Sequence, residues 1–387
     1  MIIINKTLFI ILDGAAEKGK SAYSIARKPN LDFLAQHSVC GLWRGPIVPR
    51  GYNIKSLSDV ATLELLGYSW HENPGRGYLE ALGIGLKPEK NAIYLRANFA
   101  TVKNGKIVDR RAGRDEKGLD MLSKKLNMKI DGVQIKFRRS VGHRGVLVLS
   151  GKGLSAAITD GDIGKKTIQK IYAKNPKGKK TAKILNEFLK KSNEVLGSSG
   201  INKKRKMPAN YILIRGAGSV KKIESFKSKF FLSGCSISGV GIMSGISRYI
   251  GIDVLKVKGA TGKLDTNLKA KIHAAINALE KYDFVILHIN GLDICGHSKD
   301  FKGKARFLEK IDRDVFSQML KLKHINIVIA SDHETSSKSG EHMFGPVPIL
   351  LYSPKGITNK IKIFDEVHCK KGFFADNPMR KMMMAFK

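Results

Sequence analysis

Three short apolar runs, each ending abruptly in polar residues, constrain this chain more than any other feature. Thr7 to Leu12 reads TLFIIL and stops at Asp13-Gly14. Asp283 to Ile289 reads DFVILHI, and Ile325 to Ala330 reads INIVIA before Ser331-Asp332-His333. Runs so short and so uniformly apolar predict strands covered on both faces, as in parallel sheets. Asn267 to Tyr282 and Gly303 to Lys323 instead carry apolar residues three and four apart, which predicts helices. Strands alternating with helices predict an α/β domain with a mostly parallel sheet sandwiched by helices. Working residues of such sheets gather beyond the carboxyl ends of the strands. The polar residues after all three strands are therefore expected along one edge.

The middle of the chain reads differently. From about Gly77 to Phe231 it is richer in basic residues and loops, with strand-like pieces of its own at Val146 to Leu149 and Tyr211 to Ile214. This predicts a discontinuous domain, 1–76 with 232–387, and an inserted smaller α/β or α+β domain at 77–231. A chain of 387 residues with 42% hydrophobic content can bury cores of that size. It is not a disulfide miniprotein, a collagen-like fibre or a disordered chain.

Lys and Arg number 69 against 33 Asp and Glu, a formal charge of +36. Such a balance suits anionic partners, although a solvated lysine-rich surface accounts for most of it. The basic run Lys203-Lys204-Arg205-Lys206 lacks the aromatic interleaving that nucleic-acid readout needs, so nucleic acid is not the expected partner. Cys40, Cys235, Cys295 and Cys369 form no CxxC pair, which fits a reducing cytoplasm. No run of about 18 apolar residues exists, so no spanning helix is expected. The apolar start, MIIINKTLFIILDG, reads as a buried first strand and not as a targeting segment, because Lys6 interrupts it.

Seven residues carry the chemistry. Asp13 follows the first strand, and Ser58 opens the periodic stretch SDVATLELLG, where Ser-Asp marks a helix N-terminus. Asp293 and His297 are four apart in DICGH and so face the same side of one helical turn. Asp332 and His333 follow the third strand, with His342 shortly after. Singly these have ordinary uses: Ser58 an N-cap, Asp13 a turn residue, Asp293 with His297 an exposed helical pair. Together, three carboxylates and three imidazoles without a thiolate suit divalent metals of the manganese, zinc or magnesium type. A hydroxyl at a helix N-terminus beside metal suits attack on phosphorus or sulfur and an ester on serine.

The ordered segments ILDG, PNLDFLA, SDVATLELLGY, GRGYLEALGIGL, RANFATV, DRRAGR, HRGVLVL, RGAG, GATGKLDTN, DICGH and SDHETSSKSGEHMFGPVPILL carry a resemblance. The chain resembles the archaeal-type 2,3-bisphosphoglycerate-independent phosphoglycerate mutases of the alkaline phosphatase superfamily, from about residue 8 to 351. The resemblance implies an alkaline-phosphatase-like sheet domain with two divalent metals, manganese first among manganese, magnesium, cobalt and zinc. Asp293, His297 and His342 would hold one metal. Asp13, Ser58, Asp332 and His333 would hold the other, with Ser58 the nucleophile. The activity implied is interconversion of 3-phosphoglycerate and 2-phosphoglycerate through phosphoserine, the inserted domain acting as a lid. Substrate carboxylate and phosphate would be gripped by Arg111 and Arg114 in DRRAGR, His143 and Arg144 in HRGVL, and Arg215 in RGAG, since arginine forks bind both groups bidentately.

Departures from the family pattern stand at Asn290, Ser244, Ile163-Gly164, Glu334 and Ser336. They spare the seven residues and touch substrate positioning. The alternative activity is therefore a metal-dependent phosphatase, a phosphonate hydrolase or another phosphomutase on the same scaffold. A basic nucleic-acid-binding protein is a third reading, resting on charge alone. A monomer acting on a small anionic substrate, with no membrane partner, completes the expectation.

Overall fold

The computed structural model describes residues 6–48, 57–376 and 378–385. The chain divides into two compact units, Met1–Asn73 with Ile223–Lys387, and Pro74–Lys222. The second crossing falls nearer the middle of the chain than 231/232, and aromatic packing explains why. In the helix Phe226–Phe230, the Phe226 ring lies 5.0 Å from Phe284 and the Phe230 ring 6.4 Å from Tyr68, both in the first unit.

The first unit is built on an eight-stranded sheet. Its order is Asp253–Leu255, Gly234–Ile237, Phe284–Ile289, Thr7–Leu12, Asn326–Ala330, Val347–Tyr352, Val39–Trp43 and Phe373–Ala375. All neighbours are parallel except Val347–Tyr352, which runs against both of its partners. The three runs that dominate the sequence are adjacent, with Thr7–Leu12 in the middle and every residue of all three buried. Leu12 pairs with Ile289, and Ile11 with Ala330, so the three strands end level with one another. Whatever follows them must meet in space.

Helices cover the sheet because each can bury an apolar stripe against it. Leu268–Ala278 starts at Asn267, whose side chain accepts a hydrogen bond from the Ala270 amide. Phe301–Ile311 starts likewise at Asp300, capped onto Gly303. The single helix predicted from Gly303 to Lys323 does not run straight: Asp312–Phe316 form a wider π-type turn. That turn points the Asp312 carboxylate at the amides of Asn30 and Leu31, at 3.2 and 2.8 Å. It thereby satisfies the first turn of helix Pro29–Gln36, whose own N-cap residue Lys28 offers no side-chain cap.

The second unit holds a six-stranded sheet whose paired neighbours are all antiparallel. The long strand Ala92–Lys103 is central, between Arg144–Ser150 on one side and Tyr211–Ser219 on the other. One face packs on helix Lys179–Gly197, whose Ile184, Leu185, Phe188 and Leu189 join a core with Ile93, Leu95, Ala97 and Phe99. The opposite face takes helix Arg76–Gly83 at very short range. A Cβ on Gly77 would stand 2.3 Å from the Tyr94 carbonyl oxygen, so only glycine permits this approach. Of the two architectures expected for this unit, α+β is the one observed.

Candidate active site

In the first unit the polar residues beyond the three level strands converge. Asp13 closes the strand Thr7–Leu12, and Asp332 and His333 follow Asn326–Ala330. Asp293 and His297 lie in helix Gly291–His297, directly after Phe284–Ile289. Ser58 is the second residue of helix Leu57–Leu65, and its Oγ lies 3.1 Å from His333 Nε2. His342 is returned to the cluster by a short ladder in which Thr335 pairs with His342.

Two overlapping groups of ligand atoms result. Asp13, Asp332 and His333 form one, and Asp293, His333 and His342 the other, with all atoms of each group within 4.8 Å of one another. His297 borders the second group, its Nε2 3.1 Å from His342 Nε2 and 3.5 Å from Asp293 Oδ2. Its Nδ1 is engaged by the Gly340 carbonyl at 2.7 Å, which directs Nε2 inward. The structure thus brings together all seven residues singled out in the sequence, and it places His333 between the two groups.

Local hydrogen bonds aim the carboxylates. Asp332 Oδ1 accepts from the Gly14 and His333 amides, each at 3.0 Å, leaving Oδ2 toward the centre. Thr335 Oγ1 donates to Asp293 Oδ1 at 2.8 Å. Gly14 has φ of +60° and is wedged in: a Cβ there would stand 2.4 Å from Thr335 Oγ1 and 2.7 Å from Asp293 Oδ1. Asp13 Oδ1 and Asp332 Oδ2 are buried and accept no hydrogen bond from the described residues, although each lies 3.4 Å from His333 Nε2. Buried carboxylate oxygens without donors, among imidazole nitrogens and without thiolate, fit a divalent cation with oxygen and nitrogen ligands.

Burial and close packing set the charge states around the cluster. Burial pushes the Asp332 carboxyl up, and the neighbouring Asp13 adds to it. Asp13 feels the same burial, but the close imidazoles of His288 and His333 outweigh it and hold the carboxyl low. His333 is likewise penalised by burial, yet Asp332 and Asp13 raise it. Carboxylates packed among imidazoles are the electrostatic setting in which a divalent cation is favoured.

Two supporting groups were not singled out in the sequence. His288 sits inside DFVILHI, where a histidine in an otherwise apolar run was the available signal. It is 3% exposed, with Nε2 3.2 Å from Asp13 Oδ2 and Nδ1 3.2 Å from Ser238 Oγ. Lys304 is fully buried, donates to the Thr335 carbonyl at 2.8 Å and pairs with Glu17 Oε2 at 3.4 Å. Of the departures, Asn290 has a local structural use, donating to the Gly262 carbonyl at 3.0 Å, and Glu334 is buried.

The second unit gathers its own cationic cluster. His143 and Arg144 lie where the hairpin from Val133–Arg139 enters Arg144–Ser150, and Arg111 and Arg114 flank a short turn after Asp109. Arg111, Arg114 and Arg144 are exposed, while Arg215 is half-buried on the strand Tyr211–Ser219. His143 is pushed down to about 4, first by burial and then by Arg144, Arg111, Arg96 and Arg114. All five residues expected to grip substrate therefore belong to this unit, and they are joined by Arg96, which the sequence reading had passed over.

Comparison with known proteins agrees with this picture. Residues 35–202 match the family model described as 2,3-bisphosphoglycerate-independent phosphoglycerate mutase. An enzyme of that name from Archaeoglobus fulgidus is 38% identical over 384 residues, covering 94% of this chain and 93% of its own. One from Methanocaldococcus jannaschii is 38% identical over 390 residues, covering 95% and 93%. A solved Pyrococcus horikoshii protein superimposes with a TM-score of 0.82 at 31% identity, over 100% of this chain and 98% of its own. The cofactor-independent phosphoglycerate mutase of Thermoplasma acidophilum does so with a TM-score of 0.68 at 30% identity, over 99% and 100%. With relatives this similar over nearly its whole length, the chain belongs to the 2,3-bisphosphoglycerate-independent phosphoglycerate mutases.

Proposed function

We propose that this protein interconverts 3-phosphoglycerate and 2-phosphoglycerate through a phosphoserine on Ser58, at a centre for two divalent metals. The observation that carries this reading is the placement of Ser58 Oγ 3.1 Å from His333 Nε2, beside buried Asp13 and Asp332 oxygens that accept no hydrogen bond from the described residues. Asp13, Asp332 and His333, with Ser58, would hold one cation, and Asp293, His297 and His342 the other. Manganese is our first choice, with magnesium, cobalt or zinc able to use the same donors. Bound cations would supply Lewis-acid stabilisation of the charge on phosphoryl oxygens and on the serine oxygen.

Ser58 Oγ gives up its proton and forms the bond to phosphorus as the bond to one glycerate oxygen breaks, and that oxygen takes up a proton. In the second half the other glycerate hydroxyl gives up its proton and recovers the phosphoryl group as the bond from phosphorus to Ser58 Oγ breaks and that oxygen regains a proton. The helix N-terminus at Ser58 favours an incoming anion. Isomerisation without hydrolysis requires that water be kept from phosphoserine while glycerate turns. We assign that exclusion, and the grip on carboxylate and phosphate, to the 74–222 unit through Arg111, Arg114, His143, Arg144 and Arg215. The departures at Asn290 and Gly164 favour one competing reading, a phosphatase in which water intercepts phosphoserine. Four buried, unpaired cysteines suit the reducing cytoplasm we propose as its location. No helix among the described residues is long and apolar enough to cross a membrane.

The test is conversion of 3-phosphoglycerate, coupled to enolase, after metal removal and re-addition of manganese, with free phosphate followed in parallel. Metal-dependent 2-phosphoglycerate that disappears in Ser58→Ala is the expected result. Free phosphate without isomer would establish the phosphatase.

A further inference from the structure

The second unit carries a buried charge arrangement that the five expected substrate residues do not explain. Arg96 and Arg215 are directly opposite each other on adjacent strands, and Asn98 is opposite Arg144. Directly paired residues share a face of a sheet, and alternate residues along a strand do too. Arg96, Asn98, Arg144 and Arg215 therefore line one face, the face covered by helix Arg76–Gly83. From that helix Glu80 Oε1 accepts hydrogen bonds from Arg96 Nη1 at 2.9 Å and from Arg76 Nε, one helical turn away, at 3.0 Å. Arg96 and Asn98 are each 7% exposed. Arg96 Nε, Arg215 Nε and Asn98 Oδ1 are buried and have no hydrogen-bond partner among the described residues.

Guanidinium groups stay charged in proteins, so like charges packed this closely need anions. Glu80 is the carboxylate hydrogen-bonded to two of them. Burial works against its ionised form, but Arg96 and Arg76 outweigh this and hold it down to about 2.

We propose that Glu80 is the resident counter-charge of an anion site comprising Arg96, Arg215 and Asn98. It neutralises one edge of the Arg96 fork and leaves Arg96 Nε and Arg215 Nε as the groups a carboxylate or phosphate would take. Glu80 also limits how tightly that anion is held, because it already neutralises part of the cluster. The identification of the anion as phosphoglycerate rests on the mutase reading above; the charge balance does not.

The experiment is calorimetric titration of the full-length protein with inorganic phosphate and with 3-phosphoglycerate, beside steady-state kinetics, for wild type, Glu80→Gln, Arg96→Gln and the double variant. Glu80→Gln is expected to bind both anions about three- to tenfold more tightly, as loss of one nearby negative charge dictates. Its KM for 3-phosphoglycerate should fall with its kcat, because product leaves more slowly. Arg96→Gln should weaken both anions at least tenfold, and the double variant should lie between the two. A Glu80 needed chiefly to hold Arg96 in place would instead raise KM and weaken anion binding on substitution, and that result, or unchanged affinity in Arg96→Gln, overturns the proposal. Should wild type bind phosphate without isomerising 3-phosphoglycerate, the mutase reading fails while the phosphate titrations still decide the role of Glu80.

Discussion

Replacing Lys304 by methionine tests whether the support of the metal centre is as strained electrostatically as its burial implies. Lys304 is wholly inaccessible, and its ammonium joins the Thr335 carbonyl to Glu17. Glu17 in turn accepts from the Ser337 amide at 2.5 Å and the Ser337 hydroxyl at 3.0 Å. The substitution keeps most of the side-chain volume but leaves Glu17 as a buried charge without a cation. Removing one partner of a buried pair typically costs about 3–5 kcal/mol. The ion pair is long, at 3.4 Å, and both Ser337 hydrogen bonds remain on Glu17, so the lower end, about 3 kcal/mol, is expected. In a unit of this size that lowers Tm by about 6–12 °C. Lys304→Met with Glu17→Gln removes both charges and should recover most of the loss. Thermal unfolding of metal-free protein, followed by circular dichroism, reads both values. A single variant within about 1 kcal/mol of wild type, or a double variant as unstable as the single, would refute the reasoning.

Three further outcomes follow from the same geometry. Gly14→Ala puts a methyl against Thr335 and Asp293 in a left-handed backbone position, so calorimetry with manganese should show weakened binding while the fold is retained by circular dichroism. Adding manganese to metal-free protein should raise Tm, by about 2.7 kcal/mol of stability when the free ion is at 100 times its Kd; no rise on adding metal would contradict the ligand assignment. His143 is held near 4, below its unfolded value of about 6.5, so its neutral form contributes fully above pH 6.5 and that contribution is lost as pH falls toward 4. Stability measured between pH 7 and 4.5 should accordingly fall less steeply in His143→Gln than in wild type.

The sheet of the first unit was legible because its central strands are buried on both faces and so read as unbroken apolar runs. The antiparallel sheet of the second unit was only partly legible. Ala92–Lys103 alternates core residues with Arg96 and Asn98, and that alternation reads as surface unless a helix is known to cover the second face. The π-type turn at Asp312–Phe316 was invisible for a similar reason: the partners of its Asp312 carboxylate, the amides of Asn30 and Leu31, lie nearly three hundred residues away. Support residues such as His288, Lys304 and Glu80 escaped notice because a lone polar residue in an apolar pattern has no partner that sequence spacing can name.

The sequence by itself determined the class of sheet, the chemistry of the ligand set and the identity of the nucleophile candidate, since these follow from residue type and local periodicity. Only the tertiary structure decided that Thr7–Leu12 lies between the other two strands and ends level with them. That register turns four separate polar segments into one centre and sets His333 between two groups of ligands. It also decided which charges are buried together, because desolvation and pairing depend on distances that the order of residues along a chain does not contain.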